Sequence, residues 1–437
     1  MKKKIATKSI KQEKIASTVT TAMHQLMIPL MIGAEATRKG LFAFVHEMGL
    51  AVVHEMFAQD AATLVGPKGK NIADRAYNHW GTTHTPFSFG GREVVLERPR
   101  VRRKGGGEAP LPTVEAFRAH DTLPERVMEQ IILGVSTRGY DRSLDPLPEG
   151  GPKSRRTSKS ATSRALIEKT TEKLAAFADR RLDELDVVAM FIDGIEVAKR
   201  SVIIALAVFS DGSKCPVGLV LGSTENAAIA TDLLQSLVAR GLRVPGPMLF
   251  AIDGGKGIRK ALTDVFGDRA VVQRCQVHKM RNVREHLPKS RRSYVARLMR
   301  DAYKSASPKT AKRLLLQLVS WLENNDEDSA AGSLREGLDE TLTCLGLDLP
   351  KSITRTFSTT NSIENLNGTI RRVGRNVKRW QDASMIKRWV AAGIFEASRR
   401  FRRVKGHRDM PKLVAALAAL ALPKAKAKEV ASVKKVA

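Results

Sequence analysis

A chain of 437 residues is longer than one ordinary core can organise, because single cores stop growing at roughly 250–300 residues, so two or more domains are expected. Its 43% hydrophobic content excludes a disordered basic tail, and its formal net charge of +29, from 74 Lys and Arg against 45 Asp and Glu, points to a polyanionic partner. The three cysteines, Cys215, Cys275 and Cys344, are too few and too scattered for a disulfide framework, which fits a reducing cytosol.

The first apolar run, "LMIPLMIGA", follows a lysine-rich start and superficially looks like a secretion signal. It contains Pro29, comes only after a long polar stretch and is too short to span a bilayer, so it reads as a core segment. Over residues 38–58, Phe42, Val45, Met48, Val52 and Met56 recur at steps of three and four, the spacing of one helix face. His46 and His54 on that helix belong to no metal-binding pattern and read as surface or boundary residues. Next, "PFSFGGREVVLERPRVRRKGGGEAP" alternates Val94 and Leu96 with charged partners, which predicts a small hairpin presenting Arg98, Arg100, Arg102 and Arg103.

From 121 to 176 the pattern predicts a helix, a short helix begun at Ser136, a basic loop and a further helix begun near Ser160. This suits a helix-turn-helix-like module, whose last helix would offer Thr162, Ser163 and Arg164 to base edges or phosphates. Small three-helix units also exist for purely structural reasons, and both readings stand.

From 183 the texture changes to strands. "DVVAMFIDGIEV", "SVIIALAVFSDGSK" and "PVGLVLGSTEN" precede a helix over 226–240, the strand "MLFAIDGG", a helix over 256–266 and the strand "AVVQRCQV". That order describes a mixed sheet flanked by helices, in which the strand ending at Asp253 neighbours the one carrying Asp193 in parallel. Residues 286–350 are helical and charged, a second helical block covers 361–400, and the chain ends in a lysine and alanine tail.

Two carboxylates at the ends of neighbouring strands repel unless a cation lies between them. Magnesium prefers oxygen ligands, and two such ions about 4 Å apart serve phosphodiester chemistry, normally with a third carboxylate. Glu364 has the best context for that third position, although "NSIE", with Asn361 three residues earlier, also has the form of a helix capping box. Cys275 and His278 supply only two of the four ligands of a structural zinc, so a polar pair at a site wall is the alternative.

"FIDGIEV", "AIDGGKG", "CQVHKMRN" and "TTNSIENLNGTIRR" resemble, in order and spacing, the signature segments of the Mutator-type transposases of bacterial insertion sequences. With "RPRVR", "GVSTRGY" and "SATSR" upstream, the resemblance covers roughly residues 65–400; Gln276 departs from it, standing where many relatives carry an aromatic residue. It implies an α/β architecture: an RNase H-like mixed-sheet catalytic core with an all-α insertion, preceded by a mostly helical DNA-binding region with a small β-hairpin. The expected segments are 1–110 (helical and hairpin), 111–180 (DNA-binding), 181–285 and 353–410 (core), 286–352 (insertion) and 411–437 (basic tail).

The resemblance makes Asp193, Asp253 and Glu364 a catalytic triad holding two Mg2+ or Mn2+ ions, with Cys275, His278, Asn361 and Asn367 as the active-site wall. Arg138, Arg371, Arg372 and Arg375 would contact DNA. Trp321 would stack on an extruded base, or else is a core residue of an amphipathic helix. The implied partners are terminal inverted repeats, target DNA and further copies of the chain, without a membrane, in the bacterial cytoplasm at the nucleoid. Two rivals are a tyrosine or serine recombinase, for which none of the four tyrosines has an evident Arg-His-Arg setting, and a catalytically silent DNA-binding derivative, against which the three intact carboxylates argue.

Overall fold

The computed structural model describes residues 34–66, 72, 75–147, 151–224 and 226–421, in two compact units, Met1–Lys169 and Thr170–Ala437. The apolar run before Ala34 and the basic tail beyond Ala421 lie outside the described residues.

In the first unit, helix α1 (Ala34–Val65) buries Leu50, Val53, Phe57, Ala61 and Val65 against a hairpin of β1 (Tyr77–Phe89) and β2 (Arg92–Arg103), edged by β3 (Glu108–Ala109). The stripe singled out by sequence faces the other way: Val45, Val52 and Met56 are exposed by 54%, 56% and 38%. The helix carries two apolar stripes, and the hairpin covers only one. His46 is buried, its ring edge-on to Phe89 at 5.2 Å, so it is no surface residue. Residues Gly40–Val65 are long and apolar enough to cross a membrane by length and composition. They also carry Glu47, Glu55 and Asp60, and their packed face meets protein.

The hairpin turns at Gly90 and Gly91, whose φ angles of 58° and 82° suit a tight two-residue turn. It is longer than expected, since β1 begins at Tyr77 in a segment without apolar alternation. Its arginines are engaged: Arg98 and Arg100 pair with Glu108 at 3.2 and 3.0 Å, and Arg102 lies over Trp80 at 4.5 Å. Helices α2 (Pro112–Ala119), α3 (Leu123–Ile132) and α4 (Lys159–Asp179) follow, and the boundary between the units falls inside α4. The helix expected at Ser136 is a turn, because Ser136 Oγ accepts the Gly139 N–H at 3.0 Å. Tyr140, fully buried, donates its hydroxyl to the Gly91 carbonyl at 2.7 Å and clamps the hairpin turn.

The second unit is built on a five-stranded sheet with strand order β6-β5-β4-β7-β8. Strands β4 (Val187–Val197), β5 (Arg200–Phe209) and β6 (Lys214–Gly222) are antiparallel neighbours. Strand β7 (Met248–Ile252) pairs with β4 in parallel and β8 (Ala270–Arg274) with β7 in parallel, reached through α5 (Ala227–Ala239) and α6 (Lys256–Phe266). The two-residue period of β4 sends Met190 and Ile192 to the core under α5 and α6, and Ala189, Phe191 and Ile195 to the opposite core.

Helix α7 (Gln276–Glu285) leads into an all-helical block, α8 (Lys289–Tyr303), α9 (Pro308–Glu323), α10 (Asp328–Arg335) and the short α11 (Thr343–Gly346), with its own core around Leu315, Leu318 and Leu322. The block is stitched to the sheet edge by buried polar groups. Gln273 donates to the Thr341 carbonyl at 2.9 Å and accepts the Cys344 amide at 2.7 Å, and Lys279 Nζ donates to the carbonyls of Ser333 and Glu336 at 2.7 Å each. Gln276 joins this seam, donating to the Thr341 carbonyl at 2.9 Å. Helices α12 (Lys351–Phe357), α13 (Asn361–Gly374), α14 (Ala383–Ser398) and α15 (Met410–Leu420) then complete the second unit, where Ile363, Leu366 and Ile370 of α13 join the core face holding Phe191.

Candidate active site

Alternation along β4 puts Asp193 on the same face as Phe191 and Ile195, where α13 packs. The strand does not end there: it runs on to Val197, and Asp193 pairs with Ile204 of β5. Only β7 stops, at Ile252, directly before Asp253. Ile192 and Ile252 are partners in the parallel register, so Asp193 and Asp253 each lie one residue past the last pair, on strands about 4.8 Å apart. Asp193 is 6% exposed and accepts the Gly194 N–H at 3.1 Å, while Asp253 accepts the Gly255 N–H at 2.9 Å.

Helix α13 brings the third carboxylate. Glu364 is in its first turn, and Asn367, one turn on, is buried and donates Nδ2–H to Asp193 Oδ2 at 2.8 Å. This contact ties the helix bearing Glu364 to the strand bearing Asp193. The capping box is not formed: Thr360 is the N-cap residue, Asn361 is exposed on the first turn, and the cap has no side-chain hydrogen bond to the helix backbone. Glu364 lies one residue too far along for a box, and its Oε1 instead accepts the Thr360 hydroxyl at 2.9 Å. Thr360, fully buried, was missed by sequence reasoning, although its position four residues before Glu364 is one helical turn.

Cys275 caps α7, its Sγ accepting the His278 N–H at 3.5 Å. His278 Nδ1 meets Thr360 Oγ1 at 3.3 Å, and Nε2 stands 3.8 Å from Glu364 Oε1. One ligand-bearing atom from each of Cys275, His278 and Glu364 falls within 4.8 Å of the others, so the Cys-His pair has a carboxylate for company. The hydrogen bond to Cys275, with the negative charges of Cys275, Glu364 and Asp253, raises the His278 pKa against burial. Burial pushes the Cys275 thiol up, but hydrogen bonds from His278 and Thr360 outweigh it and hold the thiol below its usual value.

The donor set suits a hard divalent cation. Asp193 and Asp253 lie on neighbouring strands and Glu364 on the helix that Asn367 ties to Asp193, no lysine or arginine forms an ion pair with Asp253 or Glu364 among the described residues, and the buried Oδ1 of Asn367 has no hydrogen-bond partner. Glu396, a rival third carboxylate, is 5% exposed and already paired with Arg372 at 3.4 Å and Arg400 at 3.1 Å.

The DNA-contact candidates divide. Arg138, Arg164, Arg371 and Arg375 are exposed and Ser163 partly so. Thr162 is fully buried, its hydroxyl donating to the Thr157 carbonyl at 3.2 Å, so it faces the interior and not a DNA surface. Arg372 is occupied with Glu396. Trp321 is half-buried on α9, its ring 5.3 Å from that of Tyr294, and borders an open groove of about 710 Å3 with Lys309, Lys312 and Arg313. Two of the tyrosines have structural settings: Tyr140 holds the hairpin turn, and burial pushes the Tyr303 phenol up to about 12.

A family model described as "Transposase, Mutator family" matches residues 30–403. The chain is 29% identical over 220 residues to the transposase for insertion sequence element ISRM3 of Rhizobium meliloti, covering 48% of this chain and 54% of that one. It is 24% identical over 322 residues to the transposase for IS256 in transposon Tn4001 of Staphylococcus aureus, covering 71% and 78%. With the transposase for IS905 of Lactococcus lactis it shares 25% identity over 312 residues, covering 69% and 75%. The chain thus spans about half the length of the first of these relatives and about three quarters of the other two.

Proposed function

Because the chain belongs to the Mutator family of transposases, we propose that it cuts DNA at the terminal inverted repeats of an insertion sequence and joins the freed ends to target DNA. The observation that carries this reading is the Asn367–Asp193 hydrogen bond at 2.8 Å, which ties the helix bearing Glu364 to the strand bearing Asp193, beside the strand that stops before Asp253. The sheet order, three antiparallel strands continued by two parallel ones, supports an RNase H-like core.

In this reading Asp193, Asp253 and Glu364 hold two Mg2+ or Mn2+ ions, which supply the charge that activates a water or 3′-hydroxyl and stabilises the departing oxygen. Asn367 fixes the Asp193 carboxylate by its Nδ2–H, and its Oδ1 remains free to accept. Arg371 and Arg375 grip the phosphate backbone from the exposed side of the helix bearing Glu364. Arg138, Ser163 and Arg164 contact the repeats. The protein works as a homodimer or larger assembly, since two ends are joined together, on DNA of the bacterial cytoplasm.

The test is incubation of the purified chain with labelled element ends and Mg2+, with mapping of the cut strand. Cleavage should stop with chelator while DNA binding persists. Glu364→Gln, Asp193→Asn and Asp253→Asn should each fold and bind DNA but lose cleavage to a similar, non-additive extent. Cutting in excess chelator, or a covalent protein–DNA adduct, would refute the carboxylate mechanism.

A further inference from the structure

We propose that the Cys275-x-x-His278 element acts through Thr360 as a positioning device for the Glu364 carboxylate, fixing it relative to the strand end that carries Asp253. This rests on Glu364 being a member of the metal-binding triad.

An unbroken chain of contacts supports it. The Cys275 N–H donates to the carbonyl of Ile252, the last residue of β7, at 2.8 Å, which ties the start of α7 to the residue before Asp253. The Gln276 N–H donates to the Ser358 carbonyl at 2.9 Å, which ties the same helix start to the segment leading into α13. From the first turn of α7, His278 reaches Thr360 at 3.3 Å, and the Thr360 hydroxyl reaches Glu364 Oε1 at 2.9 Å. Thr360 has one hydroxyl proton. That hydroxyl donates to Glu364 Oε1 and also meets His278 Nδ1, so Thr360 joins the two groups. Nε2 is left facing Glu364 Oε1 at 3.8 Å.

The device answers a need of the site. Asp193 is buried and held by Asn367, but the Glu364 side chain is 36% exposed and has several rotatable bonds. The Thr360 hydroxyl fixes Oε1 from a fully buried position and leaves Oε2 for an ion. A ligand freed to explore other rotamers binds its metal more weakly, and a misplacement of about 1 Å can cost on the order of 100-fold in rate. Thr360 and His278 are therefore assigned as positioning residues, acting through the Glu364 carboxylate.

The experiment uses the full chain, with Mn2+ binding followed by the paramagnetic resonance signal of the free ion and, in parallel, Mg2+-dependent cleavage of labelled ends. Thr360→Val keeps the shape of the buried side chain and removes the hydroxyl; it should weaken Mn2+ binding about tenfold and raise the Mg2+ requirement in step, the size expected when an outer partner of a metal ligand is lost. Thr360→Ser should restore both, and His278→Ala should shift both in the same direction as valine. Should the valine variant not fold, the serine and His278→Ala pair decides. Unchanged Mn2+ affinity in folded Thr360→Val or His278→Ala, or a serine variant as weak as valine, overturns the proposal. Glu364→Gln separates the two levels. If it still cuts, the triad assignment fails and this proposal with it; if it is inactive while Thr360→Val binds and cuts like the parent, only the positioning role fails.

Discussion

At the scale of single residues, the site depends on how buried polar atoms are paired. Asn367 sits 2.8 Å from Asp193 as a donor, so Asn367→Asp would set two carboxylates against each other in a buried place. That variant should melt below the parent in chelator and gain more from Mg2+ than the parent does, as read by thermal melts with and without the ion. An equal gain in both proteins would mean that no cation is held beside Asp193. Cys344 gives a second residue-level expectation. It is fully buried, and burial pushes its thiol up to about 12, so iodoacetamide should leave it unlabelled in the native chain and label it on unfolding. Native-state labelling at Cys344 would contradict the packing of α11. Asp193, Asp253 and Glu364 were legible as candidates because apolar runs stop at the first two and a motif surrounds the third. Thr360 was not, because a buried threonine beside a glutamate has no periodic signature and its partner His278 is 82 positions away in the chain.

At the scale of elements, α6 was legible because one face alone is apolar, and the strands β4 and β7 because each is a short apolar run buried on both faces. For helix α1 the stripe found in the sequence proves largely exposed, because periodicity finds an apolar stripe without saying which of two stripes the hairpin covers. The turn at Ser136 and the start of β1 at Tyr77 were lost for a different reason: both are set by local hydrogen bonds and pairing, not by alternation. The crossing of α13 and α14 could not be read at all, since it depends on a single missing side chain. A Cβ on Gly393 of α14 would lie 2.7 Å from the Ile370 Cα, and backbone cannot yield as a flexible side chain does. Gly393→Ala should therefore cost about 1–3 kcal/mol by overpacking. At roughly 2–4 °C per kcal/mol, a thermal melt resolves this easily. Because α13 carries Glu364 and Asn367, cleavage should fall further than the folded fraction does. A variant with the parent's melting temperature and activity would show that the helices part without strain.

At the scale of the whole molecule, charge was the most legible property and the least informative about place. The net charge of +29 called for a polyanion, yet several cations are engaged internally: Arg98 and Arg100 with Glu108, Arg274 with Glu340, Lys279 with helix-end carbonyls, and Arg372 and Arg400 with Glu396. Each such ion pair removes a cation and an anion together, so the net charge stands and the pairing decides only which cations stay exposed. Residues 422–437 hold Lys424, Lys426, Lys428, Lys434 and Lys435 against Glu429, and their contribution is open to a direct measurement. Each phosphate neutralised on duplex DNA adds about −0.9 to the slope of log affinity against log salt. A chain ending at Ala421 should bind random DNA more weakly at low salt, with a shallower slope by up to about 4, while keeping its preference for element ends over random sequence. Arg164→Ala should do the reverse, losing preference with little change in slope, because it sits exposed at the start of α4 with the partly exposed Ser163. The decisive quantity is the ratio of specific to random affinity at matched salt. A truncated chain that lost this ratio would place sequence reading in the tail, and an Arg164→Ala chain that kept it would reduce α4 to a structural helix.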